Sequence, residues 1–339
     1  MDAKITKQRL ARILSYDWIK IVALAVAAVF LWTLIFTMTA TRITAAQQFT
    51  VFNYYSNDSL GDGFSASYSN AFSRDKIFSY EVIETNTNDL RISGEDMAAS
   101  MLETRVAVEE GDVMLIPDIP DTASAYTDDN GNTQYAYSYM QGFFNRYYLY
   151  LYELDPEAEN GYFKQMEAFL NGFYVNGYEQ ADSLDEGKVE AAFKARIKAN
   201  KDKRFKKEAQ IAQGVQDELA RIKKYRDALV EFYGYLTDGT VTLTTLTLTD
   251  ADGNILREGK YGLNLCPNEG KTGELKKVFS YTTKESYEEN GETKERTIST
   301  AKNMHAMFFK FSGVEKSFEY ETLLYVNYIV RNAIAATQA

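Results

Sequence analysis

The sequence predicts an α/β domain carried behind an N-terminal transmembrane helix. Three observations predict it. Ile21 to Thr41 form 21 consecutive positions without a charge. Strand and helix patterns alternate from Phe49 to Asp118. The rest of the 339 residues reads as a helical insertion followed by a β-rich C-terminal part that ends in a helix. A composition of 45% hydrophobic and 25% charged residues is that of a folded protein.

The N-terminal run IVALAVAAVFLWTLIFTMTAT is long enough for a bilayer core, because about 20 apolar residues at a 1.5 Å rise cross roughly 30 Å. Trp18, at the edge of the run, has the amphipathic ring favoured at a membrane interface. Lys4, Lys7, Arg9, Arg12 and Lys20 precede the run, and after Arg42 the next basic residue is Arg74. The positive-inside bias therefore predicts residues 1–20 as a cytoplasmic tail, 21–41 as a single-pass anchor in the cell membrane and the C-terminal domain outside. A cleaved signal peptide is the alternative. Its apolar core is usually about 7–15 residues and this one is longer, although small residues at Ala40 and Ala46 would allow cleavage.

Residues 43–118 read as a first α/β lobe. Phe49 to Tyr55 is a strand, Phe64 to Ser73 a short helix, and Ser79 to Glu84 a second strand followed by a loop to Asp89. Glu95 to Glu110 carries Met97, Met101, Leu102, Val106 and Val108 at helical spacing, with Ser93 and Asp96 as a capping box and Gly111 as its stop. Asp112 to Ile116 is a short apolar strand closed by Pro117. Strands separated by helices, with no hairpin signal between them, imply a parallel sheet covered on both faces.

The FTVFNYYSND strand and loop, the SYEVIET strand and the MLETRVAVEEGDVMLIPD helix and strand resemble the first lobe of bacterial extracellular solute-binding proteins of ABC transporters, the type II periplasmic-binding fold. The resemblance covers residues 49–118 and is topological. It implies a solute-binding-like core, a small solute such as a sugar or peptide as ligand, and a membrane transporter as partner.

Residues 119–187 are aromatic-rich. Asn130-Gly131 signals a tight hairpin, and Tyr139, Phe143, Tyr147 and Tyr150 share one side of a helix that either packs in the core or lines a cleft. Residues 188–236 read as a charged helical hairpin, solvated on one face, with a seam of Val215, Leu219, Ile222, Leu229, Tyr233 and Leu236. Residues 237–339 hold β-hairpins, a strand from His305 to Phe311 and a helix from Phe318 to Ala336 that completes the α/β domain. Asp250, Asp252 and Asn254 lack the later positions of a calcium loop, where Ile255 and Tyr261 stand, and read as a turn.

Composition removes several functions. The chain carries 37 basic and 48 acidic residues, a net charge of −11, which repels nucleic-acid phosphates. Six of those basic and two of those acidic residues lie in residues 1–42, so residues 43–339 carry −15. One Cys and one His exclude an internal disulfide and a multi-histidine metal cage. Cys266, before Pro267, reads as a small buried side chain. Phosphate-loop and G-x-S-x-G motifs are absent, so the sequence predicts a non-catalytic binding protein without cofactor or metal, with paired carboxylates of a glycan-active enzyme as the remaining catalytic route. The alternative is a structural or assembly protein of the envelope contacting a membrane or cell-wall partner. In open α/β sheets ligands sit beyond the carboxyl ends of parallel strands. This places candidate ligand contacts at Tyr54, Tyr55, Asn57 and Asp58, at Thr85 to Asn88 and at Asp118, with Tyr139 and Tyr147 closing from the far side. Strand alternation lets only one of Tyr54 and Tyr55 face a ligand if both are in the strand.

Overall fold

The computed structural model describes residues 7–39, 47–53, 77–90, 95–121, 124–275, 282–289, 292–299, 303–311 and 320–339. The expected helix at Phe64 to Ser73, the cap residue Ser93 and the turn Asn290-Gly291 lie outside them. The chain divides into two compact units, Met1–Ile43 and Thr44–Ala339.

The first unit is helix α1 (Lys7–Thr39). Its stretch Trp18–Thr37 is the one helix among the described residues long and apolar enough to cross a membrane. The hydroxyls of Thr33 and Thr37 donate to the carbonyls of Val29 and Thr33, both at 2.8 Å, so these polar side chains are satisfied inside the helix.

In the second unit the elements run β1 (Gln48–Asn53), β2 (Glu84–Asp89), α2 (Glu95–Ala107), β3 (Val113–Pro117), β4 (Ala125–Thr127), β5 (Thr133–Tyr135), α3 (Tyr139–Tyr147), α4 (Tyr162–Asn171), α5 (Glu186–Ala199), α6 (Glu208–Thr237), β6 (Thr242–Thr249), β7 (Ile255–Asn264), β8 (Thr282–Glu289), β9 (Glu292–Ser299), β10 (Met304–Phe308) and α7 (Glu321–Gln338). Six strands form one sheet in the order β2-β1-β3-β10-β7-β6. β1 pairs in parallel with β2 and β3, whereas β3-β10, β10-β7 and β7-β6 are antiparallel. The expected parallel sheet is thus a parallel trio extended by an antiparallel half. The reason is local: β6 and β7 are consecutive strands joined by the Asp250–Asn254 turn, and a short turn can join only antiparallel neighbours.

The second strand is also corrected. It spans Glu84–Asp89 rather than Ser79–Glu84, so Thr85 to Asn88 stand in the strand and not in a loop at its end. The apolar residues of 77–83 misled the pattern, because Ile77, Phe78, Tyr80 and Val82 pack against the core cluster instead of alternating across a sheet.

Strand alternation divides the core. Phe49, Val51, Val113, Leu115, Ala306 and Phe308 join the cluster formed with α4, α6 and α7. Phe52, Met114, Ile116 and Met307 join the cluster formed with α2 and α3. The described unit is therefore a sheet with helices on both faces. The other described strands form two hairpins, β4-β5 and β8-β9. Within α2, Leu102 and Val106 are buried, while Val108 lies past the helix end and is exposed.

Caps and close approaches set the helices. Ser138 Oγ accepts from the Gln141 N–H at 3.2 Å, and Asp185 Oδ1 accepts from the Lys188 N–H at 3.0 Å, starting α3 and α5. Gln210 Oε1 accepts from the N–H groups of Lys206 and Lys207 at 3.1 and 2.9 Å at the start of α6. A side chain at Gly214 would collide with the rings of Phe193 and Phe205, so glycine lets α6 approach α5 closely. The seam residues Val215, Leu219, Ile222 and Leu229 are buried as their spacing predicts.

Candidate functional site

The charged helices are not simply solvated. Lys201, Lys203, Lys206 and Lys207 are exposed, but the arginines of the same stretch turn inward. Arg196, on α5, donates to Glu81 Oε1 at 2.6 Å and Glu218 Oε2 at 3.0 Å. Arg204 reaches Glu81 Oε2 at 2.7 Å and Asp202 Oδ2 at 2.8 Å. Arg221 grips Glu218 with two hydrogen bonds, Nε to Oε2 at 2.9 Å and Nη2 to Oε1 at 2.5 Å. Tyr80 donates to Glu218 at 2.8 Å and accepts from Arg196 at 2.6 Å. Three guanidiniums thus balance the carboxylates of Glu81, Asp202 and Glu218. A second centre adjoins them. Glu321, the first residue of α7, accepts from the Ser79 N–H at 3.0 Å, from the Ser79 hydroxyl and from Tyr225 at 2.7 Å.

The electrostatics follow from this pairing. Burial alone would raise the Glu81 carboxyl, but the Arg196 and Arg204 guanidiniums hold it at about 2. Burial opposes ionisation of Glu218 as well, and Arg221 and Arg196 keep it below the usual carboxylate range. Burial and the Glu218 and Glu81 charges push the Tyr80 hydroxyl well up. Both lowered carboxyls are explained by arginines inside the cluster, which fits a structural ion network that ties residues 79–81 to α5, α6 and α7.

Beside this network lies an open groove of about 810 Å³, lined among others by Phe78, Tyr80, Val82, Ile83, Arg221 and Lys224. It follows the lead-in to β2, at the amino ends of the parallel strands. Two of its cations are engaged internally. Arg221 is held by Glu218, and Lys224 Nζ donates to the Phe78 carbonyl at 3.0 Å.

The opposite, carboxyl ends of the parallel trio carry a different feature. Two crossings leave β1 between β2 and β3, so the chain reverses its direction of travel across the sheet at β1. That reversal is the switch point beside which open α/β sheets hold ligands. The last residue of β1 is Asn53. It stands opposite Asp89 of β2 and Leu115 of β3, and its carbonyl accepts from the Leu90 N–H at 2.9 Å. Alternation puts its side chain on the face of Phe49 and Val51, and Ala306 follows Leu115 in the same row of the sheet. Asn53 is 0% exposed, and neither Oδ1 nor Nδ2 has a hydrogen-bond partner among the described residues. Each such orphaned group costs about 1–3 kcal/mol, and buried amides in folded proteins are otherwise almost always paired.

Of the residues expected to contact a ligand, Tyr54, Tyr55, Asn57 and Asp58 lie outside the described residues. Asp118 is exposed just beyond β3, where its N–H donates to the Asn303 carbonyl at 2.8 Å. Tyr139 and Tyr147 are buried in the α3 core with Phe143 and Phe144, on the sheet face opposite Asn53. The structure therefore does not bring them together with the β1 end. Sequence reasoning passed over Asn53 itself. Its sequence signal is weak: Phe49, Val51 and Asn53 share one strand face, and a polar residue ending an apolar face does not by itself mark a site.

The remaining chemistry-bearing residues have structural partners. His305 Nδ1 lies 2.9 Å from the Asn303 carbonyl and Nε2 lies 2.9 Å from Thr244 Oγ1, while burial lowers the imidazole pKa. Cys266 is buried, with Sγ 3.3 Å from the Thr272 carbonyl. Asp250 Oδ1 accepts from the N–H groups of Asp252 and Asn254 at 2.9 and 2.8 Å and so closes the β6-β7 turn. Among the described residues no group of three or more acidic, His or Cys side chains is arranged to hold a metal ion. No protein-family model matches the chain, and neither a curated protein nor a solved structure is similar to it.

Proposed function

We propose that the protein is a membrane-anchored, non-catalytic binding protein for a small solute, held by α1 with its N-terminus in the cytoplasm and its α/β domain outside. The observation that carries the reading is the buried, unsatisfied Asn53 amide at the switch point of the parallel trio. Natural proteins keep such a group where something other than stability selects it. The apolar stretch Trp18–Thr37 and the basic residues before it support the placement. The test is a thermal-shift screen of the full chain in detergent against amino acids, sugars, nucleobases and short peptides. A saturable rise in melting temperature with one compound is the expected result, and no rise with any of them contradicts the reading. For the orientation, protease added to intact cells should digest the domain and leave a membrane-embedded N-terminal fragment. Full-length protein that survives until the cells are lysed would reverse the topology.

The envelope-assembly alternative has one observation in its favour. Tyr126, Tyr135 and Tyr137 on and beside the β4-β5 hairpin are 54%, 42% and 40% exposed, a surface that suits a protein or glycan partner. A stable complex with another envelope protein, together with a blank solute screen, would select it.

A further inference from the structure

Resting on the solute-binding reading, we infer that Asn53 is the ligand-recognising residue, and that its ligand presents a neutral carboxamide or lactam edge. The argument starts from the amide itself. An asparagine offers an N–H donor and a carbonyl acceptor side by side on one edge. Here both are buried at the carboxyl end of β1, and the described protein pairs neither. One partner satisfies both at once: an edge with an acceptor and a donor in the complementary order. A primary carboxamide and a lactam have that edge. A trans peptide bond does not, because its N–H and C=O point in opposite directions.

Charge narrows the class further. On the β3 side the row of the sheet beside Asn53 continues as Leu115 and Ala306, while on the β2 side stands Asp89, so an anionic group brought there without a counter-ion is strongly penalised. The guanidiniums of the ion network do not serve, since they are held by Glu81, Asp202 and Glu218 at the amino-terminal side of β2. Hydroxyl-rich sugars fit less well, because every additional hydroxyl brings one donor and two acceptors to satisfy in a covered site. A completely covered amide also implies that the site opens locally before the ligand enters, which slows association.

The experiment compares the full chain in detergent with its Asn53→Leu variant, which keeps the branched heavy-atom skeleton and removes the orphaned amide. Probes are acetamide, uracil and nicotinamide, with glucose, maltose and triglycine as compounds lacking the edge. The ligand-free variant should melt several degrees above the wild type, because an unsatisfied buried group has been replaced by an apolar one of similar shape. At least one of the amide or lactam probes should raise the wild-type melting temperature, and the same probe should leave Asn53→Leu unmoved. Asn53→Asp, with a charge in place of the donor, should lose the shift as well. Three results overturn the inference: a ligand-free Asn53→Leu that melts lower than wild type, a probe that shifts both proteins equally, or a wild type that responds only to glucose, maltose or triglycine. The last leaves the solute-binding reading standing, whereas a wild type silent to every compound removes both.

Discussion

Glu218→Ala should lower stability by about 3–5 kcal/mol, the range for breaking a buried ion pair from one side. The substitution leaves Arg221, whose side chain is 2% exposed, without its two-bond partner and removes one carboxylate from Arg196. It also takes the acceptor from Tyr80. For a domain of this size the loss corresponds to a fall in melting temperature of about 5–8 °C. The double variant Glu218→Leu with Arg221→Met should recover most of it, since no charge is then stranded and Arg196 keeps Glu81. Thermal melts of the two variants measure this directly. A single variant that melts within about 2 °C of wild type would mean that water or another residue compensates Arg221.

The same network makes the fold acid-sensitive in a defined window. Glu81 sits at about 2 in the folded protein against an ordinary 4.5. Its folded pKa is the lower one, so its contribution is fully present above pH 4.5 and disappears as pH falls toward 2. At 1.36 kcal/mol per pKa unit the contribution is roughly 3 kcal/mol. Glu218 adds to the loss in the same direction. Glu81→Gln should therefore be less stable than wild type at pH 7, and the two should converge as pH approaches 2. Denaturant melts across that range read the difference. Parallel curves at every pH would show that Glu81 is not ionised by its arginines in the native state.

These two expectations rest on residues whose role the sequence showed only in part. The period of α6 was legible, because Val215, Leu219, Ile222 and Leu229 recur at helical spacing and tertiary burial follows that stripe. The depth of Arg196 and Arg221 was not. A guanidinium three residues from Glu218 looks identical in sequence whether water or a second helix covers it, and long-range partners such as Glu81 have no local signature. The β6-β7 turn and the β4-β5 hairpin were legible for the opposite reason, since Asp-Gly and Asn-Gly chemistry is complete within four or five residues. β2 was displaced because its own sequence, ETNTND, has no apolar alternation, while the residues before it do.

The candidate site divides the same way. The end of β1 could be read from strand order and the general rule about carboxyl ends, and the sequence pointed to the residues just beyond it. Tyr139 and Tyr147 were drawn in by aromatic richness, yet they serve the core beneath α3. Asn53 was missed because a single polar residue at a strand end is common. Only its complete burial and the absence of a partner among the described residues make it unusual.

The most direct test of a ligand site at the β1 end is hydrogen–deuterium exchange of the full chain in detergent, with and without the compound that gives the largest thermal shift. The account predicts added protection confined to amides at the carboxyl ends of the parallel trio, around Asn53, Leu90 and Asp118, with α6 unchanged. Protection centred instead on Phe78 to Thr85 and the facing turns of α6, where the open groove lies, would place the ligand at the amino ends of the strands and contradict it.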